Sequence, residues 1–190
     1  MKNILRPALV LFIALSVITG LLYPLAVTGT AQAVFSHQAN GSLILGADGK
    51  PVGSELIGQL YADPKNFWGR PSATGEKPYN GLASGGSNQG PLNPALHDAV
   101  AERVKALREA DPQQQAQVPI DLVTASASGL DPDISPAAAL YQAARVARVR
   151  GLPPEQVNAL VASHTQAPLW GLLGEPRVNV LALNLALDGR

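Results

Sequence analysis

The sequence predicts an α+β protein: one N-terminal transmembrane helix, then a single compact extracytoplasmic α/β-type domain with three to four helices and a small sheet. Three observations carry this. No Asp, Glu, Lys or Arg occurs between Arg6 and Asp48, and the apolar run Ala8 to Val27 has about the 20 residues that one spanning helix needs. After that run, apolar residues recur at helical spacing in segments opened by a cap residue or a proline. Between those segments lie short β-branched or alternating stretches, punctuated by Gly and Pro. The expected division is 1–34, the N-terminal segment with the membrane helix, and 35–190, the domain.

Topology follows from the flanks. Lys2 and Arg6 precede the run and the next basic residue is Lys50. The basic end of a span stays in the cytoplasm, which places the N-terminus inside and everything after about Val34 outside. Gly20 and Pro24 weaken a water-soluble helix but are tolerated in a membrane one. A rival reading stands beside this. Ala31-Gln32-Ala33 has the small residues of a signal cleavage site, and Pro24 and Gly29 could break the helix before it. The chain would then be an exported binding protein or enzyme. The apolar run is longer than the roughly 7–15 residues of a signal core, which favours the anchor.

In the domain, Ser42 to Leu45 reads as a strand, and Asp48-Gly49 as a turn into Pro51-Val52. Ser54 to Tyr61 is expected to continue as a strand. Asn66 to Leu92 is dense in Gly, Pro, Ser and Asn and has no regular pattern. Phe67, Trp68 and Tyr79 give that loop something to bury. Asn93 caps and Pro94 opens a helix whose apolar face is Leu96, Val100, Val104 and Leu107, ending before Pro112. Gln113 to Gln115 is a linker. Val118 to Ser126 is expected as a strand for its β-branching, and Ser126 to Pro136 as a loop. Ser135 and Pro136 open a second helix that stops at Gly151. A third begins at Pro153 or Pro154 and ends near His164. Val178 to Leu187 alternates like a strand, but its Leu and Ala content favours a helix capped by Asn179.

Composition excludes several chemistries. Acidic and basic residues balance at 14 each, so no charge excess calls for nucleic acid. The chain has no cysteine, which removes thiolate catalysis and Cys-ligated metal. His37, His97 and His164 lack ligand spacing. No P-loop and no G-x-S-x-G occur, so no catalytic and no metal-binding residue is assigned. The candidate nucleotide contact is Ser84, Gly85, Gly86, Ser87 and Asn88, inside a glycine-rich loop comparable to the signature loop of ABC transporters. The other reading of that loop is structural, with Gly85 and Gly86 supplying backbone conformations that other residues reach only with strain. Candidates for partner docking are Arg145, Arg148, Arg150, Asp131, Asp133, Glu175 and Arg177. The arginines form either an anion or docking patch, or a helix end matched to its dipole. Asp131 and Asp133 are either turn formers or a small acidic site facing a cation.

Tyr79 to Leu96, Val118 to Leu152 and Leu173 to Asp188, with Gly69-Arg70-Pro71-Ser72-Ala73, Tyr23-Pro24-Leu25 and Thr28-Gly29, resemble the KdpC family over almost the whole chain. These are the small single-span subunits of bacterial Kdp potassium-transporting P-type ATPases. Asp133 departs from the family's D-P-H-I-S-P, where histidine is expected. The resemblance implies a non-catalytic accessory subunit in the bacterial inner membrane. Its partners would be a channel-like subunit, a P-type ATPase subunit, a small peptide subunit and membrane lipid. ATP and potassium would be handled by the complex, with no cofactor of the chain's own. Two roles are implied: assembly and stabilisation, or a catalytic chaperone that raises the pump subunit's ATP affinity.

Overall fold

The computed structural model describes residues 2–46 and 48–189. The chain forms two compact units, Met1–Leu43 and Ile44–Arg190. The first is one long apolar helix: α1 (Lys2–Val17), a π-turn (Ile18–Leu22) and α2 (Tyr23–Val34), followed by the single turn α3 (Ser36–Ala39). The 31 residues Ile4–Val34 are long and apolar enough to cross a membrane. Large apolar side chains are exposed all along it, among them Leu5, Phe12, Leu22 and Leu25, as expected of a helix whose partner is not water. The π-turn has a local cause. Pro24 has no N–H, and its ring crowds the carbonyl four residues back, at Gly20. The helix opens one turn, Tyr23 N–H bonds Ile18 O, and regular helix resumes. Pro24 and Gly29 therefore do not break the helix, and Ala31-Gln32-Ala33 lies within α2.

The second unit is α+β. Its elements after the β1–β2 hairpin (Leu43–Leu45, Pro51–Ser54) are α4 (Pro94–Ala110), β3 (Asp133–Ile134), α5 (Pro136–Arg150), α6 (Pro154–Ser163), β4 (Thr165–Gln166), β5 (Arg177–Asn179) and α7 (Val180–Leu187). The strands β3, β5 and β4 form an antiparallel sheet in that order, with Ile134 opposite Val178 and Thr165 opposite Val178 on its other side. The helix caps are those the sequence predicts. Asn93, Ser135 and Asn179 each accept a backbone N–H of the first turn, and Gly151 ends α5 in the left-handed region.

Three expectations fail. Val118 to Ser126 is not a strand; it contains a 3₁₀ turn, Ile120–Leu122. Its apolar residues reflect burial of Leu122 and Val123 in the core rather than pairing. Ser54 to Tyr61 does not continue β2, because Ser54 Oγ accepts the Leu56 N–H and turns the chain. Conversely, Asp133–Ile134, expected as loop, pairs with β5.

The core gathers Ala138, Ala139, Ala143, Val146 and Ala147 of α5 with Val157 and Val161 of α6, Leu183 of α7, Val178 and Phe67. The alanine face of α5 lets neighbouring elements approach closely. Phe67 is fully buried, yet it belongs to an extended segment that has no strand partner. Asn184 of α7 supplies one instead: its amide oxygen accepts Phe67 N–H at 2.8 Å and its amide nitrogen donates to Phe67 O at 3.0 Å. Gln142 of α5 repeats the device on Trp68, at 2.9 and 3.1 Å. Asn184→Ala strands both polar groups of Phe67 in the core. We expect a loss of about 1–3 kcal/mol for each group, read from urea denaturation of the detergent-solubilised chain; an unchanged midpoint would contradict the clamp.

Candidate functional site

Four of the docking candidates converge. Asp131, Asp133, Glu175 and Arg177 line one groove of about 390 Å³, together with Arg70 and Asp121. Asp131 starts the site as a turn residue: its Oδ1 accepts the Asp133 N–H at 3.0 Å. Its Oδ2 is paired with Arg70 Nη1 at 3.1 Å. Arg70 Nε is buried without a partner among the described residues. Asp133 pairs with Arg177 Nε at 3.1 Å. Burial raises the Asp133 carboxyl above the ordinary range; the Arg177 charge opposes the shift, and nearby Asp131 adds to it. Asp121 accepts the Ser135 N–H at 2.7 Å and so fixes the start of α5. Glu175 is exposed on the rim. The groove thus holds two ion pairs, Arg70–Asp131 and Asp133–Arg177, beside two further carboxylates, Asp121 and Glu175, and Asp131 is also a turn former.

The three arginines of α5 lie elsewhere and are tied to other segments of the domain. Arg145 is 2% exposed. It donates to Gln142 Oε1 at 2.7 Å and to Pro64 O, and it covers the Trp68 ring at 4.8 Å. Burial lowers its pKa to about 10, so it stays charged at neutral pH. Arg150 donates to Lys65 O, Asn66 Oδ1 and Asp188 Oδ1. Arg148 pairs at 2.7 Å with Asp111, whose side chain is 5% exposed.

The glycine-rich loop rests on the turn 126–129. Ser84 Oγ and Gly85 N–H both donate to Ser128 O, at 3.0 and 2.9 Å, so the Gly85 N–H is committed inside the fold. Ser87 and Asn88 are exposed, Asn88 with φ +52°. Gly86, not Gly85, is the constrained glycine. A Cβ there would stand 2.9 Å from Ala127 O, whereas one at Gly85 meets nothing, and neither has the positive φ that glycine uniquely tolerates. Upstream, Ser72 Oγ donates to Gly129 O at 2.7 Å and accepts Tyr79 N–H at 2.9 Å. The Tyr79 hydroxyl donates to Arg70 O at 2.6 Å, and burial pushes its pKa up to about 12.

Sequence reasoning gave no site role to Arg70, Gln142, Asn184 and Ser72, although Arg70 and Ser72 stand in the Gly69–Ala73 motif. The available signal was an amide on an otherwise apolar helix face, as in Asn184 within VLALNLAL. Among the described residues no cluster of His, Cys, Asp or Glu has the arrangement of a metal site.

Because the folded pKa of Asp133 lies above its unfolded value of roughly 3.9, its contribution favours folding when protonated and is lost as pH rises through the folded pKa. We therefore expect Asp133→Asn to melt above the wild type at pH 7, with the two curves converging as pH falls towards about 3. A lower melting temperature for the variant at pH 7 would show that the Arg177 pair outweighs burial.

Comparison with known proteins spans the whole chain. A family model described as "KdpC: K+-transporting ATPase, c chain" matches residues 5–189. A "Potassium-transporting ATPase KdpC subunit" of Variovorax paradoxus is 76% identical over 188 residues, covering 99% of this chain and 97% of the relative. The protein of the same name from Polynucleobacter asymbioticus is 62% identical over 189 residues, covering 100% of both. That of Sorangium cellulosum is 63% identical over 185 residues, covering 97% of both.

Proposed function

Because the chain belongs to the KdpC family, the c-chain family of K+-transporting ATPases, we propose that it is a non-catalytic accessory subunit of an ATP-driven potassium import complex. The observation that carries this reading is the pairing of that full-length membership with the one long apolar helix among the described residues, Ile4–Val34, which has Arg6 at its N-terminal end and no further Lys or Arg before Lys50. The helix anchors the chain once in the bacterial cytoplasmic membrane with its N-terminus inside. The domain lies outside, where it assembles and stabilises the channel-like, P-type ATPase and small peptide subunits. ATP and potassium are handled by those subunits. An outer domain does not touch a cytoplasmic nucleotide, so any rise in the pump subunit's ATP affinity is a coupling free energy transmitted through conformation.

The chain has no cysteine, so single introduced thiols report topology cleanly. In spheroplasts, a membrane-impermeant maleimide should label Gln117→Cys at once and Lys2→Cys only after permeabilisation. Labelling of Gln117→Cys only after permeabilisation would put the domain in the cytoplasm. Loss of the Lys2→Cys thiol from the mature chain would establish the cleaved-signal alternative.

A further inference from the structure

Two arginines from distant parts of the sequence converge on the segment just after the 3₁₀ turn. Arg103 of α4 donates to Val123 O at 2.8 Å, and Arg70 reaches Ala125 O at 3.5 Å. Both residues line one cavity of about 280 Å³, whose other walls include Tyr61, Trp68 and Tyr79. The two charges are unequally met. Arg70 is paired with Asp131, yet its Nε is buried without a partner among the described residues. Arg103 forms no ion pair among the described residues. Burial lowers its pKa, and exposed Glu102 opposes that shift only through space. Two cations held at carbonyls two residues apart, with one paired carboxylate between them, leave positive charge in excess on this wall. A buried guanidinium donor without an acceptor carries a desolvation cost that an incoming anion removes.

We propose that this cavity is a binding site for a small aromatic carboxylate, its ring against Trp68 and the two tyrosines and its carboxylate on Arg103 and the Nε of Arg70. A planar carboxylate matches the planar donor set of a guanidinium. Small-molecule sites combine apolar and aromatic walls with a few fixed polar groups, as here. The volume falls at the low end of the roughly 300–1,000 Å³ of such sites, which suits one ring and not a nucleoside triphosphate. A neutral apolar occupant fits poorly, because it would take water from the arginine donors and give them no acceptor. The site goes beyond the accessory-subunit reading and does not depend on it.

Trp68 is its own reporter. The chain's other tryptophan, Trp170, is exposed and lies in the left-handed region at φ +54°. Trp170→Asn, a residue type that tolerates that region, leaves Trp68 as the one fluorophore of its kind. In the full detergent-solubilised chain, 3-nitrobenzoate, a contact quencher of tryptophan, should quench Trp68 saturably at one site. It should bind at least tenfold more tightly than its neutral isostere, 3-nitrobenzyl alcohol. Arg103→Gln should erase that preference. Ala106 also lines the cavity, at an exposed position of α4. Ala106→Phe should therefore fill the cavity and weaken the acid at least tenfold with unchanged circular dichroism, which decides the matter even if Arg103→Gln fails to fold. Quenching that rises linearly without saturation, equal affinity for acid and alcohol, or undiminished binding in the Ala106→Phe chain would overturn the proposal.

Discussion

The domain depends on how the segment from Asp63 to Gly69 is satisfied. Asp63 to Asn66 form a mostly exposed turn closed by Asn66 N–H on Asp63 O; the chain then enters the core with Phe67 at zero exposure, but no strand pairs with it. Buried backbone groups need partners, and here side chains replace a sheet ladder. Asn184 holds both polar groups of Phe67, and Gln142 holds both of Trp68. Arg145 and Arg150 take the carbonyls of Pro64 and Lys65. No carboxylate among the described residues forms an ion pair with Arg145, so its buried charge is met by carbonyl and amide oxygens and by the Trp68 face. That arrangement tolerates little change, because removing one acceptor leaves a buried cation under-solvated.

The rest of the unit inherits its position from this clamp. Arg70 follows Gly69 directly and forms one of the two ion pairs of the groove, with Asp131. Tyr79 returns to bond Arg70 O. Close packing against that ring leaves no room for side chains at Gly58 and Gly69, where a Cβ would stand 2.3 Å and 2.8 Å from Tyr79 atoms. Ser72 and Ser84 then fasten the polar loop to the turn 126–129. An irregular stretch with few backbone partners thereby becomes an ordered surface.

What was legible in the sequence was local. Asn93-Pro94, Ser135-Pro136, Gly151 and Asn179 announce helix ends through their own side chains or φ angles, so α4, α5, α6 and α7 could be placed. The long apolar helix was legible from its length and its lack of charge alone. The two- and three-residue strands were not, since Asp133–Ile134 is β only because Asn179 and Val178 lie opposite. Val118 to Ser126 misled because β-branching signals burial as well as pairing. For the site, proximity was the missing quantity. Asp131, Asp133, Glu175 and Arg177 meet in one groove, while Arg145, Arg148 and Arg150, grouped by sequence, spend their donors on other segments of the domain.

Functionally, the unit reads as a rigid body assembled around internal polar clamps, with its glycine-rich loop anchored inward. The Gly85 N–H that would face a phosphate already donates to Ser128 O, and no lysine-bearing phosphate loop stands near it in the sequence. On the accessory-subunit reading proposed above, such a unit would act on the conformations of the pump rather than on its nucleotide chemistry. Calorimetric titration of the purified full chain with MgATP at physiological salt tests this most directly. A chain without a nucleotide site gives no saturable heat. A one-to-one micromolar isotherm, lost on Ser84→Ala, would contradict it and make the glycine-rich loop a nucleotide contact.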